Sequence, residues 1–161
     1  YVKDTAAIKE LDKRLKSIEK TKAGSNFAGF EAEDINGKAV NYESLKGKLV
    51  YVDVWATWCK PCLQELPAMK ALQEEYKGKD ITFVSLSVDK DKEAWKAMVT
   101  EEKMQGVQLH IDLGAHRDFI ENYDLTGIPR FFLISKEGKI ISISAPRPSE
   151  AKIKELINAN L

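Results

Sequence analysis

The segment Val52-Asp53-Val54-Trp55-Ala56-Thr57-Trp58-Cys59-Lys60-Pro61-Cys62 contains both cysteines of this 161-residue chain, separated by two residues at the end of an apolar stretch. This spacing can bring two sulfurs together at the first turn of a helix. Unpaired backbone N–H groups and the helix dipole favour a thiolate there. The pattern therefore predicts a redox-active pair, in which Cys59 attacks a substrate disulfide and Cys62 resolves the mixed disulfide.

Two alternatives for the cysteine pair are a stabilising disulfide and half of a metal site. A bridge that closes so short a loop would stabilise the fold little. Zinc would need two more ligands, and His110 and His116 are poorly spaced for that role. We therefore expect no metal and no cofactor other than the redox-active disulfide Cys59–Cys62.

Composition limits the size of the fold and the classes of partner. A chain with 43% hydrophobic residues is long enough for one well-cored domain and an appendage, but not for a second full domain. Lys and Arg together number 25, as do Asp and Glu, so no basic excess attracts nucleic acid or an anionic membrane. No segment approaches the roughly 20 apolar residues of a membrane span. Because the chain starts at Tyr1 without a signal-peptide core, we expect a processed piece whose targeting or anchoring segment lies outside it.

Residues 1–22 are predicted to form an amphipathic helix that precedes a main domain at 23–161. Most of this helix is charged, with a narrow apolar stripe made of Ile8, Leu11, Leu15 and Ile18. We expect a connecting helix or one that packs on its own domain. A coiled-coil or partner-binding helix is the alternative.

Beyond this helix, apolar strands alternate with amphipathic helices. Asn36-Gly37 is the turn signal of a hairpin. Strands are expected at 49–55, 81–88, 107–112, 131–135 and 139–144, and helices at 62–77, 91–104, 117–123 and 149–161, the last with an N-terminal cap. This order predicts an α/β domain with a mixed sheet between helices.

The segment around the cysteines resembles the active site of the thioredoxin superfamily. Pro67, five residues after Cys62, is similar to the proline that kinks the active-site helix of that family. Gly127-Ile128-Pro129 resembles its cis-proline loop. The run Cys62-Leu63-Gln64-Glu65-Leu66-Pro67 is similar to the Cys-x-x-Glu-x-Pro of the TlpA/ResA-like branch, which is related to the AhpC/TSA proteins.

This resemblance implies a fold, an activity and a location. The fold is thioredoxin-like, a central mixed sheet flanked by helices, with an N-terminal hairpin at 27–42 and an extra strand–helix unit at 91–112. Members of the branch are bacterial, usually face the periplasm or cell exterior, and reduce disulfides in other proteins, often in cytochrome c maturation or redox stress. The implied partners are a disulfide-containing protein substrate and an upstream thiol protein that donates electrons, and we expect a monomer. Cysteine usage alone leaves a cytoplasmic location open.

Two carboxylates accompany the cysteines as candidate catalytic residues. Asp53 is the only carboxylate of its strand, so desolvation is expected to raise its pKa, and its position resembles the buried aspartate of thioredoxin. It can accept the proton of Cys62 during resolution. The alternative is that Asp53 faces solvent. Glu65 follows Cys62 by three residues, and the resemblance implies a place near the thiols, although a solvated helix carboxylate fits the sequence equally well.

A second group of residues is expected to contact the substrate: Trp58, Lys60, Pro61, Ile128 and Pro129. Lys60 adds a positive charge beside the nucleophile. The resemblance implies that Pro129 follows a cis peptide, presents a backbone edge to the substrate and keeps metal from the thiols. Arg130 stands where the family more often has threonine. We expect Trp58 to be partly exposed and Trp55 to be more buried.

Three other functions fit parts of this pattern. A thiol peroxidase of the peroxiredoxin class has a related fold, but its Pro-x-x-x-Thr-x-x-Cys context is not supplied by the residues before Cys59. A non-catalytic thioredoxin-fold interaction module would not need intact redox residues. A disulfide oxidant or isomerase is the alternative within the enzyme class, since related folds span about −270 to −120 mV. Lys60-Pro61, Asp53 and Ile128 favour a reductant.

Overall fold

The structure is a computed structural model and describes residues 4–161, so the first three residues of the predicted N-terminal segment lie outside the described residues. The helices are α1 (Thr5–Thr21), α2 (Lys60–Gln64), α3 (Leu66–Glu75), α4 (Lys92–Glu101), α5 (Arg117–Asn122) and α6 (Lys152–Asn160). The strands are β1 (Glu31–Asp34), β2 (Ala39–Asn41), β3 (Leu49–Trp55), β4 (Ile81–Ser87), β5 (Val107–His110), β6 (Arg130–Ile134) and β7 (Ile140–Ser142). A short 3-10 helix, Tyr42–Leu45, follows β2. Within residues 4–161, none of these helices is both long and apolar enough to cross a membrane.

Seven strands form one mixed sheet in the order β2-β1-β5-β4-β3-β6-β7. β4 pairs in parallel with β3 and β5, whereas the other neighbours are antiparallel. β3 lies inside the sheet, with Asp53 opposite Ser85 of β4 and Phe131 of β6. The expected α/β domain with a mixed sheet is confirmed, and β1 and β2 form the expected N-terminal hairpin.

Alternate residues of β3 point to opposite faces of the sheet. Its three valines pack with aromatic side chains from the N-terminal loop and α5. Leu49 and Tyr51 pack on the other face with the apolar sides of α3 and α6. At the end of the strand, Trp55 joins both cysteines and Trp95 of α4 in a third cluster. The cysteine pair is therefore anchored in the margin of the core.

α1 agrees with the helix predicted near the N-terminus, but its apolar stripe does not pack on the domain. All four stripe residues are more than half exposed, at 56–63%. A polar face contacts α5 instead, because the Ser17 hydroxyl donates to the carbonyls of Glu121 and Asn122 (3.2 and 3.3 Å) and Lys13 pairs with Glu121 (3.5 Å). The division of the chain at residue 22 stays a prediction.

The single helix predicted at 62–77 is divided into α2 and α3. The break falls at Glu65, which ends α2 and precedes α3. Two residues later, Pro67 has no N–H to donate to the carbonyl of Leu63, as a continuous helix would require. The kink that the resemblance implied is therefore present.

The expected cap of the final helix is wrong. α6 begins at Lys152 rather than at 149, and Ala151 before it provides no side-chain hydrogen bond. Ser149 uses its donors elsewhere, at the candidate active site. β5 and β7 are also shorter than the segments predicted for them.

Gly106, in the loop before β5, is predicted to be intolerant of a side chain. Its φ is +81°, and a β-carbon there would lie 2.9 Å from the Phe83 carbonyl oxygen. We expect Gly106→Ala to lower the free energy of unfolding by about 2–3 kcal/mol, because backbone strain and a steric clash add together. Gly24→Ala is the control, since φ is +89° but the space is open, and it should cost about 1 kcal/mol. Urea unfolding measures both, and equal costs would contradict the role of the clash.

Candidate active site

The cysteine pair lies where the chain leaves β3 and begins α2. Cys59 directly precedes α2 with an extended backbone (φ −86°, ψ 98°), and its Sγ accepts a hydrogen bond from the Cys62 N–H (3.3 Å). Pro61 occupies the first turn, where the missing N–H has no partner to lose. The local sequence therefore builds a helix start that is capped by a sulfur.

The two sulfurs are bonded to each other, so the structure represents the oxidised form. The S–S distance is 2.08 Å and the Cα atoms are 5.2 Å apart. Both residues are almost fully buried, at 4% and 5% exposure. Exposure does not distinguish them, but the hydrogen bond does, because only Cys59 has a backbone N–H directed at its sulfur in this turn. A thiolate at Cys59 would be stabilised by that donor.

Asp53 is buried on the same face of β3 as Tyr51 and Trp55. It is 7% exposed, so the alternative of a solvated face is wrong. Burial, with a smaller effect from the charge of Glu65, raises the pKa of Asp53 to about 7. A carboxyl group that titrates near neutral pH can both accept and return a proton.

Glu65 fastens the break between α2 and α3 to the loop before α6. One carboxylate oxygen accepts from the Ser149 N–H (3.1 Å) and the other from the Ser149 hydroxyl (2.7 Å). The side chain is half-buried, and its place near the thiols stays a prediction. Its negative charge affects the site because it raises the pKa of Asp53.

The loop between α5 and β6 lies beside the cysteines. Its Ile128–Pro129 peptide is cis, as the resemblance implied. Ile128 is half-buried and packs against the cluster that contains both cysteines. The loop is therefore in position to contact whatever reacts with the sulfurs.

Arg130 holds this loop in place through its side chain. Its guanidinium donates to three backbone carbonyls around the loop, those of Tyr123, Asp124 and Ile143 (3.0, 2.7 and 3.2 Å). Threonine could not span these three acceptors. The departure from the commoner residue at this position thus has a structural reason.

A groove of about 820 Å³ opens beside the site. Trp58, 70% exposed, and Ile128 form part of its wall, whereas Trp55 is 1% exposed, so the expectation for both tryptophans is confirmed. Lys60 and Pro61 are exposed but do not line the groove. The rest of the wall includes Val88, Lys90, Asp91, Leu113, Leu125 and Thr126.

Asp89 is a residue of this site that the sequence analysis does not identify. It follows β4, is 3% exposed, and both of its carboxylate oxygens accept from the Thr57 N–H (3.1 Å each). The Thr57 hydroxyl donates to Oδ1 as well (2.7 Å). The sequence feature that could have identified it is its position, because polar residues that directly follow two neighbouring parallel strands meet at the same edge of the sheet.

The histidines considered as zinc ligands do not join the cysteines. His110 is buried, with Nε2 2.5 Å from the carbonyl oxygen of Asp89. His116 precedes α5. Over the part of the chain that the structure describes, no three or more His, Cys, Asp or Glu side chains are grouped to hold a metal ion. The zinc alternative therefore has no ligand set in residues 4–161.

Comparisons with known proteins point in one direction. The family model described as Redoxin matches residues 22–157. The thiol-disulfide oxidoreductase ResA of Bacillus subtilis (strain 168) is 33% identical over 135 residues, which cover 84% of this chain and 74% of that protein. A crystal structure of a Bacteroides vulgatus protein assigned as a thiol-disulfide oxidoreductase superposes with a TM-score of 0.81 at 38% identity, over 88% of this chain and 99% of the other. The thioredoxin domain of another Bacteroides vulgatus thiol-disulfide oxidoreductase gives 0.76 at 28% identity, over 86% and 96%.

Because the pKa of Asp53 is raised in the folded protein, we predict that the free energy of unfolding falls as the pH rises. Its pKa is about 7 in the folded protein and about 3.9 in an unfolded chain. Between these values the folded state binds more protons, so the free energy of unfolding decreases with pH, by at most about 1.4 kcal/mol per pH unit. We expect Asp53→Asn to lack this slope and to be more stable than the wild type at about pH 8.

Urea unfolding of the oxidised protein between about pH 4 and pH 8 measures this slope. Asp118→Asn, which changes an exposed carboxylate of α5, is the control and should keep it. Glu65→Gln should lower the pKa of Asp53 in the folded protein, since it removes the nearby negative charge. The decrease in the free energy of unfolding should then end at a lower pH. An unchanged slope in Asp53→Asn would mean that another group titrates.

Proposed function

The chain belongs to the Redoxin family and is a thiol-disulfide oxidoreductase, and on that premise we propose that it reduces disulfide bonds in other proteins through Cys59 and Cys62. Its fold is thioredoxin-like and its relatives include the ResA proteins, which confirms the family expected from the sequence. The observation that carries the proposal is the Cys62 N–H directed at the Cys59 sulfur (3.3 Å).

The reaction is a pair of thiol–disulfide exchanges. The Cys59 thiolate attacks one sulfur of the substrate disulfide, a new S–S bond forms, and the other substrate sulfur leaves as a thiolate. The deprotonated Cys62 then attacks the Cys59 sulfur and displaces the second substrate thiolate. Two electrons pass to the substrate, and the Cys59–Cys62 disulfide remains, which is the state of the protein in this structure. An upstream thiol protein must then reduce it.

Asp53 is the proposed acceptor of the Cys62 proton. Desolvation raises its pKa to about 7, which is closer to that of a thiol than an exposed carboxylate would be. The smaller the difference between the two pKa values, the smaller the cost of the transfer. Glu65 contributes by raising the pKa of Asp53, and its own carboxylate stays bound to Ser149.

The surroundings of the sulfurs support a protein substrate. The groove beside them, of about 820 Å³, presents the exposed ring of Trp58 and the side chain of Ile128. We propose that Pro129 offers backbone to such a segment, and that the exposed Lys60 and Pro61 contact its flank. Each cysteine of a protein disulfide has polypeptide on both sides, and a groove of this kind can hold such a segment.

The direction of electron flow is proposed from the charges behind the pair. An oxidant such as DsbA is strong because its reduced, thiolate form is stabilised. Here the strand that leads to the cysteines carries the buried carboxyl group of Asp53, and Glu65 follows Cys62 by three residues. Negative charge near the pair disfavours a thiolate. The reduced form is therefore less stable, which makes the pair a better electron donor.

We also propose the setting in which the protein works. The resemblance to the TlpA/ResA-like branch supports the periplasm or cell envelope, with attachment through a segment outside this sequence. The expected partners are a disulfide-containing protein and a thiol protein that supplies electrons. The balanced charge gives no basis for a nucleic-acid partner, and we expect a monomer.

The reduction potential is the first test of this proposal. Equilibration with defined thiol–disulfide buffers should give a reversible two-electron couple nearer to about −270 mV than to −120 mV. Cys62→Ser is the control and should show no internal couple. A value near −120 mV would make the protein an oxidant. The absence of a reversible couple in the wild type would refute the redox function.

The second test concerns the proton of Cys62. Asp53→Asn should slow release of the substrate from the mixed disulfide by at least about tenfold, because it removes the proton acceptor. The initial attack by Cys59, measured in a Cys62→Ser background, should change little. Rapid-mixing kinetics over a series of pH values separates the two steps. Equal release rates in the wild type and Asp53→Asn would remove Asp53 from the mechanism.

A further inference from the structure

We propose that Asp89 is the positioning residue for the nucleophile: its buried carboxylate holds the turn at residues 56–59 so that the Cys59 sulfur stays within reach of the Cys62 N–H. The inference rests on the proposed function, in which Cys59 is the attacking thiolate. The side-chain hydrogen bonds of Asp89 run to Thr57 and Ser87 rather than to the sulfurs, so it acts on Cys59 through Thr57.

The turn needs an outside anchor. The Cys59 N–H donates to the Ala56 carbonyl (3.1 Å), which closes the turn but leaves the Thr57 N–H without a partner inside it. The last backbone bond between β3 and the segment after β4 joins the Val88 N–H to the Trp55 carbonyl (2.9 Å). Beyond that bond, Asp89 supplies the acceptor for Thr57.

The anchor is itself held on several sides. The Ser87 hydroxyl donates to Asp89 Oδ2 (2.6 Å), and the Asp89 N–H donates to the Ser87 oxygen (3.1 Å). The carbonyl of Asp89 is paired with Nε2 of His110 on β5 (2.5 Å). Ser87 is fully buried, and Asp89 and His110 are each 3% exposed. The carboxylate is therefore fixed relative to two strands of the sheet, as a positioning group must be.

The turn carries both parts of the site that meet a substrate. Trp58 extends from it into the groove wall, and Cys59 ends it at the start of α2. A shift of the turn by a fraction of an ångström would move the nucleophile and that wall together. Displacements of this size alter reaction rates strongly, because the reacting atoms must be aligned.

Positioning and charge predict opposite effects on the Cys59 thiol. A nearby negative charge alone raises a thiol pKa, so its removal would lower the pKa. If Asp89 instead keeps the sulfur near a backbone donor, removal of Asp89 weakens that contact and raises the pKa. The sign of the shift therefore distinguishes the two roles.

The experiment measures the rate of iodoacetamide alkylation against pH in a Cys62→Ser background, where Cys59 is the only thiol. Asp89→Ala should raise the pH midpoint of alkylation. At pH values below that midpoint it should lower the thiolate fraction of Cys59 by about tenfold. Asp89→Asn, which keeps one acceptor, should give a smaller rise in the same direction. Thr57→Val removes only the hydroxyl and should also raise the midpoint, whereas Thr57→Ser keeps both donors and should lie nearer to the parent than Thr57→Val does.

Tyr76→Phe is the matched control, because it removes a partly buried hydrogen bond to Asn158 (2.8 Å) at the far end of α3. It should lower the urea midpoint and leave the alkylation midpoint unchanged. If Asp89→Ala fails to fold, Asp89→Asn and Thr57→Val carry the test. A lower alkylation midpoint, or an unchanged one accompanied only by lost stability, would overturn the positioning role.

The outcome is separable from that of the proposed function. The reduction potential of the wild type is measured in parallel, and a reversible couple there supports the redox function whatever the Asp89 variants do. A wild type without a reversible couple would refute the function, even if Asp89 shifts the alkylation midpoint.

Discussion

Burial of β3 is the constraint on which the rest of the structure depends. The strand is paired on both edges, with β4 and β6, and all of its residues are buried. Four residues after its last position the chain reaches Cys59, the cap of α2. The nucleophile is thus attached to a buried strand that is paired on both edges, which limits the reorganisation needed before reaction.

Two buried carboxyl groups near this strand illustrate how surroundings decide chemistry. Asp53 lies on the face shared with Tyr51 and Trp55, and desolvation raises its pKa to about 7. Asp89 lies just beyond the end of β4, where the N–H and hydroxyl of Thr57 and the hydroxyl of Ser87 donate to it. A poorly solvated carboxyl suits proton transfer, whereas one that accepts several hydrogen bonds suits the fixing of a backbone.

The loops around the cysteines are held by contacts between distant segments. Glu65 and Ser149 join the break after α2 to the loop before α6, across 84 positions of sequence. Arg130 joins the end of α5 to the segment after β7. These bonds fix the loops around the cysteines relative to one another.

The sequence by itself determined the order of the elements, the redox pair at a helix start, the break near Pro67 and the exposure of Trp58, because each follows from local spacing or from a motif. The tertiary structure alone decided which face of β3 holds Asp53, since a strand buried on both sides has no polar alternation to mark its faces. It also decided that Ser149 binds Glu65 rather than capping α6, and that Asp89 meets Thr57. Such pairings depend on strand order and loop paths, because hydrogen bonds between distant segments leave no periodicity in the chain.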